Sequence, residues 1–104
     1  MDPTQQAWAA GLFEGEGSIT YRSGGYFQLQ MSMTDFDVIR RFGQIVGIDK
    51  YYTKPKRKEH HKDQLVWYCK KKSEIIRILE LFLPYFGDRR AHKALNFLDH
   101  WECN

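Results

Sequence analysis

The chain has 104 residues, 42% apolar and 15% aromatic. That is enough for one hydrophobic core and too little for two, so a single domain spanning residues 1–104 is expected and a disordered chain is excluded. No apolar run approaches the roughly 20 residues needed to cross a bilayer. The N-terminus lacks the basic start and apolar stretch of a secretory signal. Cys69 and Cys103 form neither a disulfide framework nor a zinc spacing, so an intracellular, reducing setting without membrane contact is expected. Net charge is only +3, but residues 50–72 hold nine Lys/Arg against two acids, a local +7 that leaves −4 for the rest.

Asp2-Pro3-Thr4-Gln5 is a helix start: Asp2 suits the N-cap, Pro3 the first helical position, and Gln5 the third position of a capping box. The helix should run to about Phe13 or Glu14. "GSITYR" alternates, with Ile19 and Tyr21 on one face and Ser18, Thr20 and Arg22 on the other. "SGG" at 23–25 reads as a turn. In "YFQLQMSMT", Phe27, Leu29, Met31 and Met33 point one way and Gln28, Gln30, Ser32 and Thr34 the other, which completes an antiparallel hairpin with one buried face. "DFDVIRRFGQIVG" is a helix with Asp35 as N-cap, Gly47 as C-cap, and Phe36, Ile39, Phe42 and Val46 at helical spacing.

A second hairpin follows: "IDKYYTKPK" outward, "RKEHHK" as the turn, "DQLVWYCKK" back, with Leu65, Trp67 and Cys69 sharing a face. Ser73 is placed to cap "EIIRILELF", whose apolar stripe is Ile75, Ile76, Leu79 and Phe82, and Pro84 stops it. "DRRAHKALNFLDHW" forms the last helix, with Asp88 as cap and Leu95, Leu98 and Trp101 inward. The predicted architecture is α+β in the order αββαββα: a four-stranded antiparallel sheet with helices on one face.

The other face of that sheet would carry Ser18, Thr20, Arg22, Gln28, Gln30, Ser32, Lys50, Tyr52, Lys54, Tyr68 and Lys70. Gln, Ser, Thr and Arg are side chains that read base edges, and Lys neutralises phosphate. A solvated face normally mixes both signs of charge, whereas this one is basic and poor in acids. With the basic 50–72 segment, it points to a polyanionic partner whose bases can be read, a nucleic acid; an ordinary wet sheet face is the alternative.

The first helix raises a separate question. Glu14 and Glu16 stand at its C-terminal end, where the helix dipole is negative and anions cost roughly 0.3–1 kcal/mol. Either the carboxylates are merely solvated, or a cation is supplied from outside. Ala7, Gly11 and Gly15 recur every four residues, flanked by Ala10 and Glu14, while Trp8 and Leu12 lie opposite and can anchor the helix in the core. Glycine inside a helix costs roughly 0.5–1 kcal/mol against alanine, and close approach of another helix gives it a reason; tight packing on the chain's own sheet is the alternative. No second copy exists in the chain, so a two-fold homodimer is expected, with Ala7, Ala10, Gly11, Glu14 and Gly15 at the interface. Two such helices would bring their carboxylates together, and a hard divalent ion such as Mg²⁺ would then be the missing cation.

"AAGLFEGEG", residues 9–17, resembles the nonapeptide LAGLIDADG of the homing endonucleases named after it, in their single-motif, homodimeric form. Ala9 departs from the usual leucine, and both acids are Glu where Asp is common. The Ser-Ile strand, the element order and the "PYF…RR…A" stretch before the last helix extend the resemblance over nearly the whole chain. It implies a site-specific endonuclease of a mobile element that cuts both strands of a long, nearly palindromic DNA across the minor groove, leaving short 3′ overhangs, with Mg²⁺ or Mn²⁺ and no small-molecule cofactor.

By that resemblance Glu16, with Gly15 beside it, holds the metal, and Glu14 ranks second. Asp35 orders solvent, and Arg90, with Arg89 adjacent, lies near the scissile phosphate. Arg40 or Arg41 would support, and His60 and His61 would be surface or phosphate contacts. A non-cleaving nucleic-acid binder, such as an RNA-splicing maturase, is the alternative within the same resemblance. A nine-residue strand spans about 30 Å, or roughly nine base pairs, so two copies would cover on the order of 18–20 pairs.

Overall fold

Asp2 begins the first helix as the sequence predicts. In the computed structural model its carboxylate accepts the Gln5 amide at 2.9 Å, and Pro3 fills the first helical position, where no N–H is needed. The structure describes residues 2–22, 26–55 and 62–103, apart from the side chains of Arg22 and residues 100–103. The 23–25 turn, most of the "RKEHHK" turn with His60 and His61, and the side chains of Arg22, Trp101 and Cys103 therefore lie outside the described residues.

Helix α1 runs Pro3–Glu16, two residues further than the sequence indicates, and passes without a linker into strand β1, Gly17–Arg22. Strand β2 is Tyr26–Met33, helix α2 Phe36–Val46, strand β3 Tyr51–Lys54, strand β4 Gln64–Cys69, helix α3 Lys72–Phe82 and helix α4 Asp88–Cys103. A 3-10 turn, Leu83–Tyr85, carries the chain across Pro84 between the last two helices. The sheet is antiparallel throughout, in the order β1-β2-β4-β3. The expected α+β architecture is the observed one, with α4 as a fourth helix after the αββαββα series.

The helix caps differ in detail. Gly47 takes the left-handed conformation (φ 76°) that closes α2, as expected for glycine after a helix. Asp35 precedes α2, but its side chain makes no capping bond. The α3 helix starts at Lys72, one residue before Ser73, because the Lys71 carbonyl already accepts the Ile75 amide at 2.9 Å. Asp88 is the first helical residue of α4 and not its cap: the Ala91 amide reaches back to the Gly87 carbonyl at 2.9 Å.

Ile19, Phe27, Leu29, Met31, Leu65, Trp67 and Cys69 form the buried face of the sheet, under α1, α2 and α3. Phe13 of α1 is fully buried at the centre, its ring about 6 Å from those of Phe42, Phe82 and Phe86. Phe42 meets Trp67 edge-on at 4.8 Å, and the indole N–H donates to the Ile48 carbonyl at 2.8 Å. Each such aromatic contributes about 1.5–3 kcal/mol by leaving water. Tyr51 lays its hydroxyl over Gly43, 3.0 Å from an Asp49 carboxylate oxygen, and a Cβ at Gly43 would collide with it. Burial first, then the Asp49 hydrogen bond and charge, push the Tyr51 phenol up to about 12.

Three apolar assignments change. In α3 the fourth buried residue is Ile78, with Ile76 only partly covered. In α4 the inward residues are Ala94 and Leu98, while Leu95 is 44% exposed, one helical step off the seam. In α1 the core face is Ala9, Ala10 and Phe13, with Trp8 and Leu12 at its margins. Positions 10 and 13, and 9 and 13, stack on one side of a 3.6-residue helix. Ala10 is thus a core residue at 0% exposure, not part of an outer helix face.

Candidate nucleic-acid interface and helix-end site

Strand pairing sorts the open face into rows. Ser18, Gln30 and Tyr68 are neighbours across β1, β2 and β4; Thr20 pairs with Gln28; Ser32 lies in line with Val66 and Tyr52; Lys54 lies opposite Gln64. None of the strand positions on this side is acidic. Thr20, Gln28, Gln30, Tyr52, Tyr68 and Lys70 line an open groove of about 520 Å³. The Tyr52 and Tyr68 rings lie 5.8 Å apart, with the Lys70 ammonium 5.2 Å above Tyr68. Exposed cations and aromatic rims over hydrogen-bonding side chains can engage phosphate and base edges together.

Two members of the expected face are placed differently. Gln28 is only 8% exposed; its amide donates to the Gln30 side-chain oxygen at 3.0 Å, and it lines the groove floor. Lys50 lies in line with Tyr68, but its ammonium sits 3.8 Å from the Glu74 carboxylate of α3, pulled toward the helical layer by that charge. Tyr26, paired with Arg22 and 69% exposed, also belongs to the open face. Its even-numbered parity with Gln28 and Gln30 is the signal in the sequence that marks it.

The surface of α1 away from the core carries Ala7, Gly11 and Gly15, all exposed. A Cβ added at Gly11 or Gly15 would meet nothing within 4 Å. No packing within one chain therefore requires glycine at either position.

At the end of α1 the chain supplies its own cation. The Arg90 guanidinium donates from Nη2 to the Glu14 carbonyl at 2.8 Å and from Nη1 to the Gly17 carbonyl at 3.0 Å, and stands 5.8 Å over the Phe13 ring. The sequence argument drew its cation from outside the chain; instead α4 returns beside α1 and places a guanidinium on the Glu14 carbonyl of the last turn and the Gly17 carbonyl that follows it. The Glu14 carboxylate is also engaged within the chain, accepting the Gly87 amide at 2.7 Å. Gly17 has extended backbone; it is glycine because a Cβ there would run into the buried Phe13 ring.

Glu16 is exposed, and among the described residues its carboxylate has no hydrogen bond or ion pair. Beside it opens a cleft of about 460 Å³ lined by Gly17, Ser18, Arg89, Arg90 and Lys93. Lys93, one helical turn beyond Arg89, is a cleft residue that the sequence does not single out, although the i, i+4 spacing carries it. Asp35 is exposed at the same end of the sheet, since Gly17 opens β1 opposite Met31, near the end of β2. Arg41 stacks on Trp8 at 4.4 Å and Arg40 lies 5.9 Å over Phe36, so both lean on aromatic rings at the α2 surface. Among the described residues no three His, Cys, Asp or Glu cluster in a metal-holding arrangement. No described helix is long and apolar enough to cross a membrane.

Comparison with known proteins agrees with this geometry. A search of curated proteins finds no match. Among solved structures, the homing endonuclease I-CvuI in complex with the I-CreI target, with 2 mM Mg and the DNA not cleaved, superposes with a TM-score of 0.59 at 16% identity. That alignment covers 88% of this chain and 61% of the I-CvuI chain. I-CvuI in complex with its own target in 2 mM Ca gives a TM-score of 0.60 at 17% identity, over 89% of this chain and 64% of that one. At these identities the likeness is one of fold, and the chain spans under two thirds of the I-CvuI length. The family model described as the WhiA LAGLIDADG-like domain matches residues 5–84, well over half of the sequence. With one nonapeptide motif placed at the junction of α1 and β1, the chain belongs to the LAGLIDADG family.

Proposed function

We propose that this single domain, residues 1–104, acts as a homodimeric, metal-dependent DNA endonuclease that cuts both strands of a long, nearly palindromic target. The observation that carries this reading is the Glu16 carboxylate, unpartnered among the described residues, at the end of a helix whose outer stripe is glycine and alanine, with no acid at the described strand positions of the open sheet face. The I-CvuI structures, DNA-bound and obtained with Mg or Ca, support the same reading.

The donor chemistry fits a hard divalent ion. The Glu16 carboxylate and the Gly15 carbonyl are oxygen ligands of the kind Mg²⁺ or Mn²⁺ prefers. One chain offers too few of them, and a second copy meeting along Ala7, Gly11 and Gly15 doubles the set. When bound, such an ion activates water and neutralises charge on a phosphodiester. The chain's own residues do the rest. Ser18, Thr20, Gln30, Ser32, Tyr52, Lys54, Tyr68 and Lys70 hold the duplex on the sheet. Asp35 orders solvent at the catalytic end, and Arg89 faces the phosphate from the cleft.

Glu16→Gln keeps the side-chain volume and removes the charge. It should abolish Mg²⁺-dependent nicking of a plasmid library while leaving DNA affinity within a few-fold of wild type. Unchanged cleavage refutes the assignment, and EDTA should silence the wild type to the same extent. A second reading, a binder that does not cut, is favoured by one observation: Arg90 already satisfies the end of α1, so the fold needs no metal to stand. Salt-sensitive binding with no nicking in Mg²⁺ or Mn²⁺ would select it.

A further inference from the structure

Three arginine and lysine side chains share the cleft at the α1–β1 junction, and their environments differ. Arg90 is half-buried with its fork spent on two carbonyls, while Arg89 and Lys93 are exposed. We propose a division of labour: Arg90 is a positioning residue that fixes the backbone on both sides of Glu16, and Arg89 and Lys93 are the cleft's contacts to the nucleic-acid backbone. The second half rests on the nucleic-acid reading above; the first does not.

The Arg90 bonds bracket Gly15 and Glu16, with one end on the carbonyl of Glu14 and the other on that of Gly17. A planar guanidinium can serve two acceptors in one plane, whereas an ammonium acts as a point charge. The Phe13 ring closes the segment from below, leaving no room for a Cβ at Gly17. The Glu14 carboxylate ties it sideways to the Gly87 amide at 2.7 Å. The backbone from 13 to 17 is thus held from three directions, and Glu16 projects from a fixed base.

Turning Arg90 toward a phosphate would break two charge-assisted bonds and strand the Glu14 carbonyl of α1 and the Gly17 carbonyl of β1. Arg89 and Lys93 meet a phosphate without breaking any hydrogen bond or ion pair found among the described residues. They stand four residues apart on α4, so they line the cleft as neighbours on one helix face.

The test compares Arg90→Lys, with Arg90→Gln as a second variant should the first fail to fold, against Arg89→Ala and Lys93→Ala in the full chain. Hydrogen exchange without DNA should speed up at amides 15–18 in the Arg90 variants and stay unchanged in α3. On a duplex, Arg89→Ala and Lys93→Ala should each reduce the salt slope of binding by about 0.9 for every phosphate no longer neutralised, while Arg90→Lys keeps it. On a cleaved duplex, Arg90→Lys should lower kcat by roughly 10- to 100-fold with little change in KM, as expected when a reacting group shifts by about an ångström. Unchanged exchange at 15–18, or a salt slope in Arg90→Lys that falls as in Arg89→Ala, overturns the assignment of Arg90. A wild-type chain with no salt-dependent DNA affinity overturns the roles of Arg89 and Lys93 together with the nucleic-acid reading, and the exchange result still decides Arg90.

Discussion

Replacing Gly11 with alanine separates the stability of one chain from contact between two. Gly11 is exposed inside α1, and an added Cβ meets nothing within 4 Å. With no clash to offset it, the gain in helix stability is roughly 0.5–1 kcal/mol. In a domain near 100 residues 1 kcal/mol moves the midpoint by about 4–8 °C, so the monomer should melt about 2–8 °C higher. If two copies meet along this stripe, the same methyl enters a tight contact, where overpacking costs about 1–3 kcal/mol. Two-fold symmetry applies that cost twice, which raises the dimer dissociation constant by about 30-fold at the low end. Thermal melts followed by circular dichroism at low concentration give the first effect, and sedimentation equilibrium over a concentration series gives the second. A variant that dimerises as tightly as wild type refutes the helix contact, and one whose monomer melts lower refutes the open surroundings of Gly11.

Gly17→Ala pushes a methyl into the fully buried Phe13 ring, which has no space to yield; a loss of about 1–3 kcal/mol in urea denaturation is expected. Phe13→Ala should cost about 3–5 kcal/mol in the same measurement, because its ring joins α1 to α2 and α3. Burial raises the Cys69 thiol from 9.0 to about 11, and Tyr51 moves from 10.0 to about 12. Both folded-state values are raised, so the folded chain keeps protons that the unfolded chain releases. Their contribution is complete below about pH 9 and is lost as pH rises toward 11 for Cys69 and 12 for Tyr51. Urea midpoints measured against pH should therefore fall on the alkaline side, and Cys69→Ala should flatten the part between pH 9 and 11; an unchanged limb counts against this account.

Much of the architecture was legible locally. Period-two alternation in 17–33 and 64–69 and helical spacing in 36–46 and 72–82 specify strands and helices whose partners hardly alter them. The polar parity of Ser18, Thr20, Gln30 and Ser32 fixed the composition of the open face once the hairpins were drawn. The helix caps expected at Ser73 and Asp88 lie two residues and one residue too late, since the carbonyls of Lys71 and Gly87 already accept the first helical bonds. Lys50 differs because its partner Glu74 lies on a distant helix that strand parity does not reach, whereas Gln28 lies on the expected face but is packed into the groove floor.

The sequence by itself determined the order of elements, the acid-free face and the presence of two carboxylates beside glycines at the end of α1. Those properties follow from periodicity and residue chemistry, which act over a few positions. Only the tertiary structure decided which carboxylate is free. Arg90 and Gly87 lie more than 70 residues from Glu14 and Gly17, and packing of α4 against α1 brings them into hydrogen-bond range. That contact spends Glu14, places a guanidinium at the helix end and leaves Glu16, among the described residues, without a partner at the surface.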